Sequence, residues 1–174
     1  MQPTLETERL ILRPFELTDA SRVTLLAGDE RIADVTANIP HPYPEGLAET
    51  WILSHAEKWV KNELASFAIV QRDFNILIGC ISVMNIRNLE GELGYWIGVK
   101  YWNKGYCSEA CKIVVEFCFD TLNLKRVHAH HLSRNPASGR VLEKSGLSRI
   151  GYGVAECGYR GRKENVEFYE KINT

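Results

Sequence analysis

Apolar residues recur along the chain with two different periods, and the change from one to the other predicts a mixed α/β protein. Between residues 108 and 122 the apolar positions lie three and four residues apart, which is the spacing of one helical face. Residues 66–72 and 76–86 are β-rich runs on either side of a turn at 73–75, a pattern typical of a β-hairpin. The whole chain has the predicted order β-α-α-β-β-β-α-β-α-β-β, in which one strand-helix-strand crossover joins antiparallel strands.

The same patterns place the boundaries of the predicted elements. Strands are predicted over residues 5–13, 66–72, 76–86, 92–99, 125–132, 147–157 and 162–172. Helices are predicted from about residue 18 to 27, 44 to 64, 108 to 122 and 136 to 144. Residues 29–43 contain Pro40 and Pro42 and are predicted to form an irregular loop. Because no repeat or linker divides the chain, we expect a single domain over residues 1–174.

Composition excludes several classes of protein. With 45% hydrophobic and 25% charged residues, the chain is neither disordered nor fibrous. A net charge of -1 gives no electrostatic signal for direct binding to nucleic acid or to an anionic membrane. Five cysteines without a C-x-x-C pair disfavour both a disulfide scaffold and a zinc knuckle. Since no secretory leader or membrane-spanning run is evident, we expect a soluble cytoplasmic protein.

Three neighbouring histidines raise the question of a metal site. His128 and His130 share a face of the predicted strand 125–132, and His131 follows on the other face. A metal site needs a third ligand at a recognisable spacing, and no such residue is close in sequence. We therefore expect no metal, although His130 or His131 would serve as a proton relay if either faces an acceptor pocket.

Residues 94–110 are the segment with the clearest chemical signal. They predict a strand, a short turn containing Gly105, and a helix, so that successive amide groups lie at a helix N-terminus, where an anion is favoured. Gly105 permits close approach of a phosphate, and Lys104 adds a positive charge. The segment matches neither the phosphate-binding P-loop nor the dinucleotide-binding fingerprint. From the residues alone, an anion site and a simple helix-capping turn remain equal alternatives.

Three segments resemble one known family. Gly94–Ala110 is similar to the acetyl-CoA-binding motif of the GNAT N-acetyltransferases, Leu5–Pro14 resembles their opening strand, and Asn135–Leu147 resembles their second motif. The similarity is greatest to the RimJ/RimL-type branch, which acetylates the N-terminal alanine of ribosomal proteins. It implies a three-layer α/β (α+β) fold, with flanking helices and a mixed, mostly antiparallel sheet of about seven strands. Two parallel strands of that sheet, here 92–99 and 125–132, would splay apart.

The resemblance also implies acetyl-CoA as cosubstrate and no metal. Its pantetheine would enter the gap between the splayed strands, and its pyrophosphate would lie on the turn at 103–108. Amide groups near Val99 would polarise the thioester carbonyl. The cofactor-binding residues implied in this way are Ile97, Gly98, Val99, Asn103, Lys104, Gly105, Tyr106, Cys107, Ser108 and Asn135.

Two residues are candidate catalysts. Many family members carry a tyrosine acid at the position of Leu142, and in the RimJ/RimL branch a serine at the position of Ser138 is proposed instead. Asn135 and Ser138 alternatively cap the helix that follows Pro136. Glu92 matches an acidic residue common in the family and is a candidate base, the alternative being an exposed glutamate at a strand edge.

The acceptor site is expected on variable loops around residues 30–43 and 156–164. His41 and Tyr43 are candidate substrate contacts, while Trp51 is expected in the core or at an interface. The predicted function is direct attack of a primary amine, from a protein N-terminus or a small molecule, on acetyl-CoA. The alternatives are a non-catalytic CoA-binding module and a ribosome-associated module. A monomer and a homodimer are both compatible with the sequence.

Overall fold

A computed structural model describes residues 1–157 and 161–173 of the chain, so residues 158–160 of the predicted acceptor loop 156–164 lie outside the described residues. The strands form a sheet of eight, in the order β1-β2-β3-β4-β5-β6-β8-β7. They are β1 (Leu5–Glu6), β2 (Leu10–Pro14), β3 (Ala65–Gln71), β4 (Ile76–Arg87), β5 (Glu90–Ile97), β6 (Arg126–Leu132), β7 (Ser148–Cys157) and β8 (Arg162–Ile172). The helices are α1 (Ala20–Ala27), α2 (Glu30–Val35), α3 (Leu47–Val60), α4 (Tyr106–Asp120) and α5 (Pro136–Lys144).

The predicted fold class is confirmed. All neighbouring strands pair antiparallel except β5 and β6, which are parallel and are joined through α4. No helix within the described ranges has both the length and the apolar character needed to cross a membrane.

Helices cover both faces of the sheet. Ser66 and Phe67 are consecutive in β3 and therefore point to opposite faces. Phe67 is buried and packs edge-on against Phe117 of α4, with ring centroids 5.5 Å apart. Ser66 is hydrogen-bonded to Ser82, which borders a cavity together with Trp51 of α3. The sheet therefore lies between α4 on one side and α1 and α3 on the other, which gives the expected three layers.

The predicted opening strand over residues 5–13 is wrong in one respect. It folds back on itself as β1 and β2, which pair antiparallel with Leu5 opposite Leu12. The Thr7 hydroxyl accepts from the Leu10 amide at 3.0 Å and the Thr7 amide donates to the Leu10 carbonyl at 2.9 Å. Such local bonds compete with a continuous strand, and the extra turn explains why the sheet has eight strands instead of seven.

The predicted irregular loop over residues 29–43 is also partly wrong, since it begins with the short helix α2. The Asp29 carboxylate caps this helix by accepting from the Arg31 amide at 3.0 Å. Both prolines follow the helix, so they do not prevent it. The predicted long helix over 44–64 is shorter as α3, because it is preceded by Gly46 in the left-handed region at φ 75°.

The parallel pair separates soon after it forms. Glu90, Gly91 and Glu92 of β5 pair with Arg126, Val127 and His128 of β6. Beyond these three pairs β5 continues beside β4 alone, and β6 continues beside β8 alone. The last residues of both strands therefore diverge, as the family resemblance implies, and a gap opens between them.

Candidate active site

Two cavities meet in the gap between β5 and β6. The first has a volume of about 380 Å³ and is bordered by the loop after α2 and by α3. The second has a volume of about 370 Å³ and is bordered by the turn before α4 and by α5. The residues that line both are Val35, Thr36, Tyr95, Trp96 and Ser138. Two reactants that enter from opposite sides would therefore meet at these five side chains.

The two cavities differ in charge. Among the described residues of its wall, the first includes Glu92 and Glu156 and no lysine or arginine, and we call it the acidic cavity. The second contains Arg140 and Lys144 and, again among described residues, no carboxylate, and we call it the basic cavity. The basic cavity is suited to an anion and the acidic cavity to a cation.

The turn before α4 presents free amide groups to the basic cavity. Asn103 and Gly105 both have positive φ, of 60° and 81°, so the chain reverses sharply before the helix begins at Tyr106. The first bond of the helix runs from the Glu109 amide to the Gly105 carbonyl at 3.1 Å. The three amides before Glu109 thus have no acceptor within the helix and form the positive end of its dipole.

The opening hairpin holds this turn in place. The Glu109 carboxylate accepts from the Thr7 hydroxyl at 2.6 Å, and from the Arg9 amide at 3.0 Å and the Arg9 Nε at 2.7 Å. Arg9 also donates to the Lys104 carbonyl at 3.0 Å. Burial raises the pKa of Glu109, but the bonds from Thr7 and Arg9 outweigh it and hold that pKa below its ordinary value. The turn is therefore fixed by residues about 100 positions earlier in the chain.

Most of the predicted cofactor-binding residues reach the basic cavity. Seven of them border it: Ile97, Asn103, Gly105, Tyr106, Cys107, Ser108 and Asn135. Asn135 precedes α5 without a side-chain capping bond, so the capping alternative does not account for it.

Three predicted cofactor-binding residues do not border either cavity. Gly98 is buried, and its amide donates to the Ile78 carbonyl at 2.8 Å. Val99 begins a single 3-10 turn, so its amide has no acceptor within that turn. The Lys104 side chain is exposed, with its Nζ 5.9 Å from the centre of the Tyr101 ring.

Sequence reasoning missed several residues of the basic cavity. Trp102 borders it, and its indole N–H donates to the Ile97 carbonyl at 2.6 Å. That carbonyl is one of the main-chain groups that were predicted to pair with pantetheine. Arg140 and Lys144 lie four residues apart on one face of α5. The signal that could have found them is this spacing of two cations just after the Asn135-Pro136 helix start.

Ser138 is hydrogen-bonded to a tyrosine from another element. The Tyr95 hydroxyl of β5 donates to the Ser138 carbonyl and also lies 2.9 Å from the Ser138 Oγ. Burial raises the pKa of Tyr95 well above its ordinary value of 10, so the phenol keeps its proton at neutral pH. Leu142, at the position where many relatives carry tyrosine, is fully buried. A phenol therefore does lie at this junction, but it comes from β5.

Glu92 faces the acidic cavity. Its carboxylate accepts from the Asn85 side chain at 2.9 Å, and its Oε1 lies 3.2 Å from the Nδ1 of His130. The bond from His130 outweighs partial burial and, with help from Asn85, holds the pKa of Glu92 below its ordinary value of 4.5. With 21% of its side chain exposed, Glu92 is a charged group in the cavity wall rather than an exposed glutamate at a strand edge.

The other predicted acceptor residues divide between cavity and surface. Tyr43 borders the acidic cavity, whereas His41 is exposed, with its Nδ1 3.1 Å from the Gly28 carbonyl and outside the cavity wall. Trp51, expected in the core or at an interface, also borders the acidic cavity and packs edge-on against Phe15. The sequence could not reveal this role of Trp51. Apolar residues recur with the same helical spacing whether that face of the helix packs in the core or lines a pocket.

The strand histidines have separate surroundings. His130 and His131 both border the acidic cavity. The Nδ1 of His131 lies 2.8 Å from the Leu132 carbonyl, and its Nε2 has no hydrogen-bond partner. Within residues 1–157 and 161–173, no group of three or more metal-ligating side chains is placed to hold a metal ion.

Comparison with known proteins identifies the family of this site. The family model of the acetyltransferase (GNAT) domain matches residues 9–148. The chain is 30% identical over 170 residues to the uncharacterized N-acetyltransferase YnaD of Bacillus subtilis, covering 97% of this chain and 95% of that one. It is 26% identical over 158 residues to the ribosomal protein uS5-alanine N-acetyltransferase of Escherichia coli, covering 85% and 79%.

Solved structures have the same fold. A GNAT-family acetyltransferase from Bacillus anthracis superposes with a TM-score of 0.85 at 25% identity, covering 98% of both chains. RimL, a ribosomal L7/L12 α-N-protein acetyltransferase solved with coenzyme A, also gives a TM-score of 0.85, at 14% identity and with 98% of both chains covered. At that identity the likeness to RimL concerns the fold alone.

Proposed function

The chain belongs to the acetyltransferase (GNAT) family and is an N-acetyltransferase, and on this premise we propose that its basic cavity holds acetyl-CoA while its acidic cavity receives the acceptor amine. We propose further that residues 1–174 form one acetyltransferase domain. The acceptor is a primary amine, of a protein N-terminus or of a small molecule. The alternative of a non-catalytic module is not favoured, because the curated relatives are named as N-acetyltransferases.

One observation supports this proposal above the others: two cavities of opposite charge meet at Tyr95 and Ser138. CoA carries its negative charge on phosphates, and an acceptor amine is positively charged at neutral pH before it reacts. Each reactant is thus matched to a separate cavity, and their reacting ends are brought together. Holding two reactants in line in this way supplies a large part of the rate enhancement.

The basic cavity has the groups that CoA requires. The free amides at the start of α4 suit a pyrophosphate, and the left-handed Gly105 keeps that turn open to it. Arg140 and Lys144 add two cations on the opposite wall, and the side chain of Asn135 is available to a polar group of the cofactor. Acetyl-CoA supplies an activated acetyl group and a thiol that leaves as the amide forms.

The residues at the junction divide the proton transfers between them. Glu92 is charged at neutral pH, so it binds the acceptor ammonium and takes up its proton, and His130 is placed to pass that proton to solvent. Ser138 gives a proton to the departing sulfur and takes up the second proton that the amine nitrogen loses as the amide forms. Tyr95 keeps its own proton, donates a hydrogen bond to the Ser138 carbonyl and lies 2.9 Å from the Ser138 Oγ, so it holds the serine at the junction.

Loss of the two α5 cations is expected to weaken CoA binding. We expect the double variant Arg140→Ala/Lys144→Ala to raise the Kd for CoA about 10- to 30-fold, because charge-assisted bonds to phosphate are lost. The Kd of the variant should also depend less steeply on salt than that of the wild type. Isothermal titration calorimetry with CoA at two salt concentrations measures both effects.

The matched control is Lys58→Ala/Lys112→Ala, which removes two exposed helical cations that border neither cavity. It should bind CoA as the wild type does. If both double variants bind equally well, the basic cavity does not hold the phosphates. If the wild-type protein fails to bind CoA at all, the proposed function is wrong.

Removal of the Tyr95 hydroxyl is expected to slow turnover without weakening CoA binding. Tyr95→Phe keeps the ring in the wall and removes only the donor to Ser138, so we expect a decrease in kcat of about tenfold, at the low end of effects from a positioning hydrogen bond. Steady-state assays of thiol release measure kcat, and calorimetry measures CoA affinity. Unchanged kcat, or a loss confined to KM for acetyl-CoA, would show that Tyr95 does not act through Ser138.

A further inference from the structure

We infer that the acceptor is a small primary monoamine with an apolar body and no carboxylate beside the amine. This inference rests on the proposed function and narrows it to one chemical class. The features that carry it are the charges, the apolar wall and the size of the acidic cavity.

The charges of the acidic cavity exclude a free amino acid. Glu92 and Glu156 border it, and no described residue of its wall is a lysine or an arginine. An amino acid whose ammonium binds Glu92 would bring its own carboxylate close to Glu92, where no described residue of the wall supplies a cation to pair with it. An unpaired anion in such a site is strongly disfavoured. The neighbours of the reacting amine must therefore be neutral.

Much of the rest of the wall is apolar. Four tyrosine and tryptophan residues border the cavity: Tyr43, Trp51, Tyr95 and Trp96. Other parts of the wall are formed by side chains that belong to the core, among them Val23 and Leu64. Such a wall binds a hydrocarbon or aromatic group through burial of its surface.

Size and hydrogen bonding favour a small occupant. The volume of about 380 Å³ lies at the small end of ligand pockets, which span roughly 300–1,000 Å³. Two polar side chains of the wall already have partners: the Ser82 hydroxyl lies 2.8 Å from that of Ser66, and the Nδ1 of His131 lies 2.8 Å from the Leu132 carbonyl. A peptide or a polyamine brings further polar groups, and of these two side chains only His131 has a free polar atom, its Nε2.

A panel of related amines tests the inference. Thiol release from acetyl-CoA is measured with 2-phenylethylamine, L-phenylalanine, L-phenylalaninamide, spermidine and a peptide with a free N-terminal alanine. We expect kcat/KM for 2-phenylethylamine to exceed that for phenylalanine by about 100-fold, because only phenylalanine carries the excluded carboxylate. Phenylalaninamide, in which the carboxylate is neutralised, should recover most of the difference.

A change of charge at the cavity tests the physical reason. In Glu156→Lys the preference for 2-phenylethylamine over phenylalanine should shrink about tenfold, since the substitution replaces an anion by a cation at a residue that borders the cavity. The control Glu116→Lys makes the same change on α4, at an exposed residue outside both cavities, and should leave the preference unchanged.

The outcomes separate the inference from the proposed function. If phenylalanine is used within tenfold of 2-phenylethylamine, or if spermidine or the peptide is the best acceptor, the inference is wrong and the acetyltransferase function stands. If CoA binds and no amine of the panel is acetylated, the inference is also wrong. If CoA fails to bind and no amine is acetylated, the proposed function fails as well.

Discussion

Ser138→Ala is expected to lower kcat by about 100- to 1,000-fold, the range typical of a lost general acid, while CoA affinity stays unchanged. The Ser138 Oγ lies where the two cavities meet and is bonded to a tyrosine that keeps its proton. Without the hydroxyl, the leaving sulfur must depart as an unprotonated thiolate or take its proton from water. Single-turnover kinetics with acetyl-CoA, together with calorimetry for CoA, separate the chemical step from binding.

A change of acetyl donor makes this test specific for proton donation. In an acetyl ester of an acidic phenol, the leaving phenolate is weakly basic and needs no acid to depart. With such an ester as the acetyl donor, the defect of Ser138→Ala should largely disappear. The matched control is Ser145→Ala directly after the same helix, where the hydroxyl donates to the Val141 carbonyl at 2.8 Å. An equal loss with both donors, or an equal loss in the Ser145 variant, would rule out Ser138 as the acid.

The parts of the fold that follow from local periodicity were predicted well. The β3–β4 hairpin and α4 have strong periods of two and 3.6 residues, and both are present close to the predicted bounds. The turn between β1 and β2 could not be predicted in this way. The pattern of polar and apolar residues continues without a break through residues 5–13, whereas hydrogen bonds between Thr7 and Leu10 reverse the chain there. The helix α2 was not predicted, because the two prolines that follow it indicated an irregular loop over the whole segment 29–43.

The candidate site was predictable only where a continuous motif carries it. The turn around Gly105 and the helix start at Asn135 are local features, and both border the basic cavity. Tyr95 meets Ser138 across 43 positions of sequence, and Arg9 meets Glu109 across 100. Such pairs depend on how β5, α4 and α5 pack together, and no pattern within either segment reveals them.

The charge separation of the two cavities could not be predicted from composition either. The net charge of -1 averages over the whole chain and carries no trace of it. The cations of the basic cavity lie on α5, whereas Glu92 and Glu156 of the acidic cavity lie on β5 and β7. The division of charge arises only when the fold brings these separate elements together around the two cavities.

Glu92→Gln is expected to lower kcat/KM for the acceptor amine by about 100-fold or more, with CoA binding unchanged. The substitution keeps the size of the side chain and removes the charge that attracts the ammonium and accepts its proton. Because His130 holds the pKa of Glu92 below 4.5, the wild-type carboxylate is charged at every pH above that value. Protonation of Glu92 should therefore reduce wild-type activity only at a pH below the ordinary titration range of a glutamate.

A second glutamate on the same strand supplies the control. Glu90→Gln makes the same change two residues earlier, where the carboxylate pairs with Arg126, which keeps Glu170 as a second partner at 2.7 Å. Glu90 borders neither cavity, so we expect activity within about twofold of the wild type, as for most surface substitutions. Steady-state kinetics over a range of amine concentrations, with thermal unfolding to check the fold, compare the two variants. If Glu92→Gln loses no more activity than Glu90→Gln, then Glu92 neither binds the amine nor takes up its proton, and the acidic cavity must deliver the amine by its shape alone.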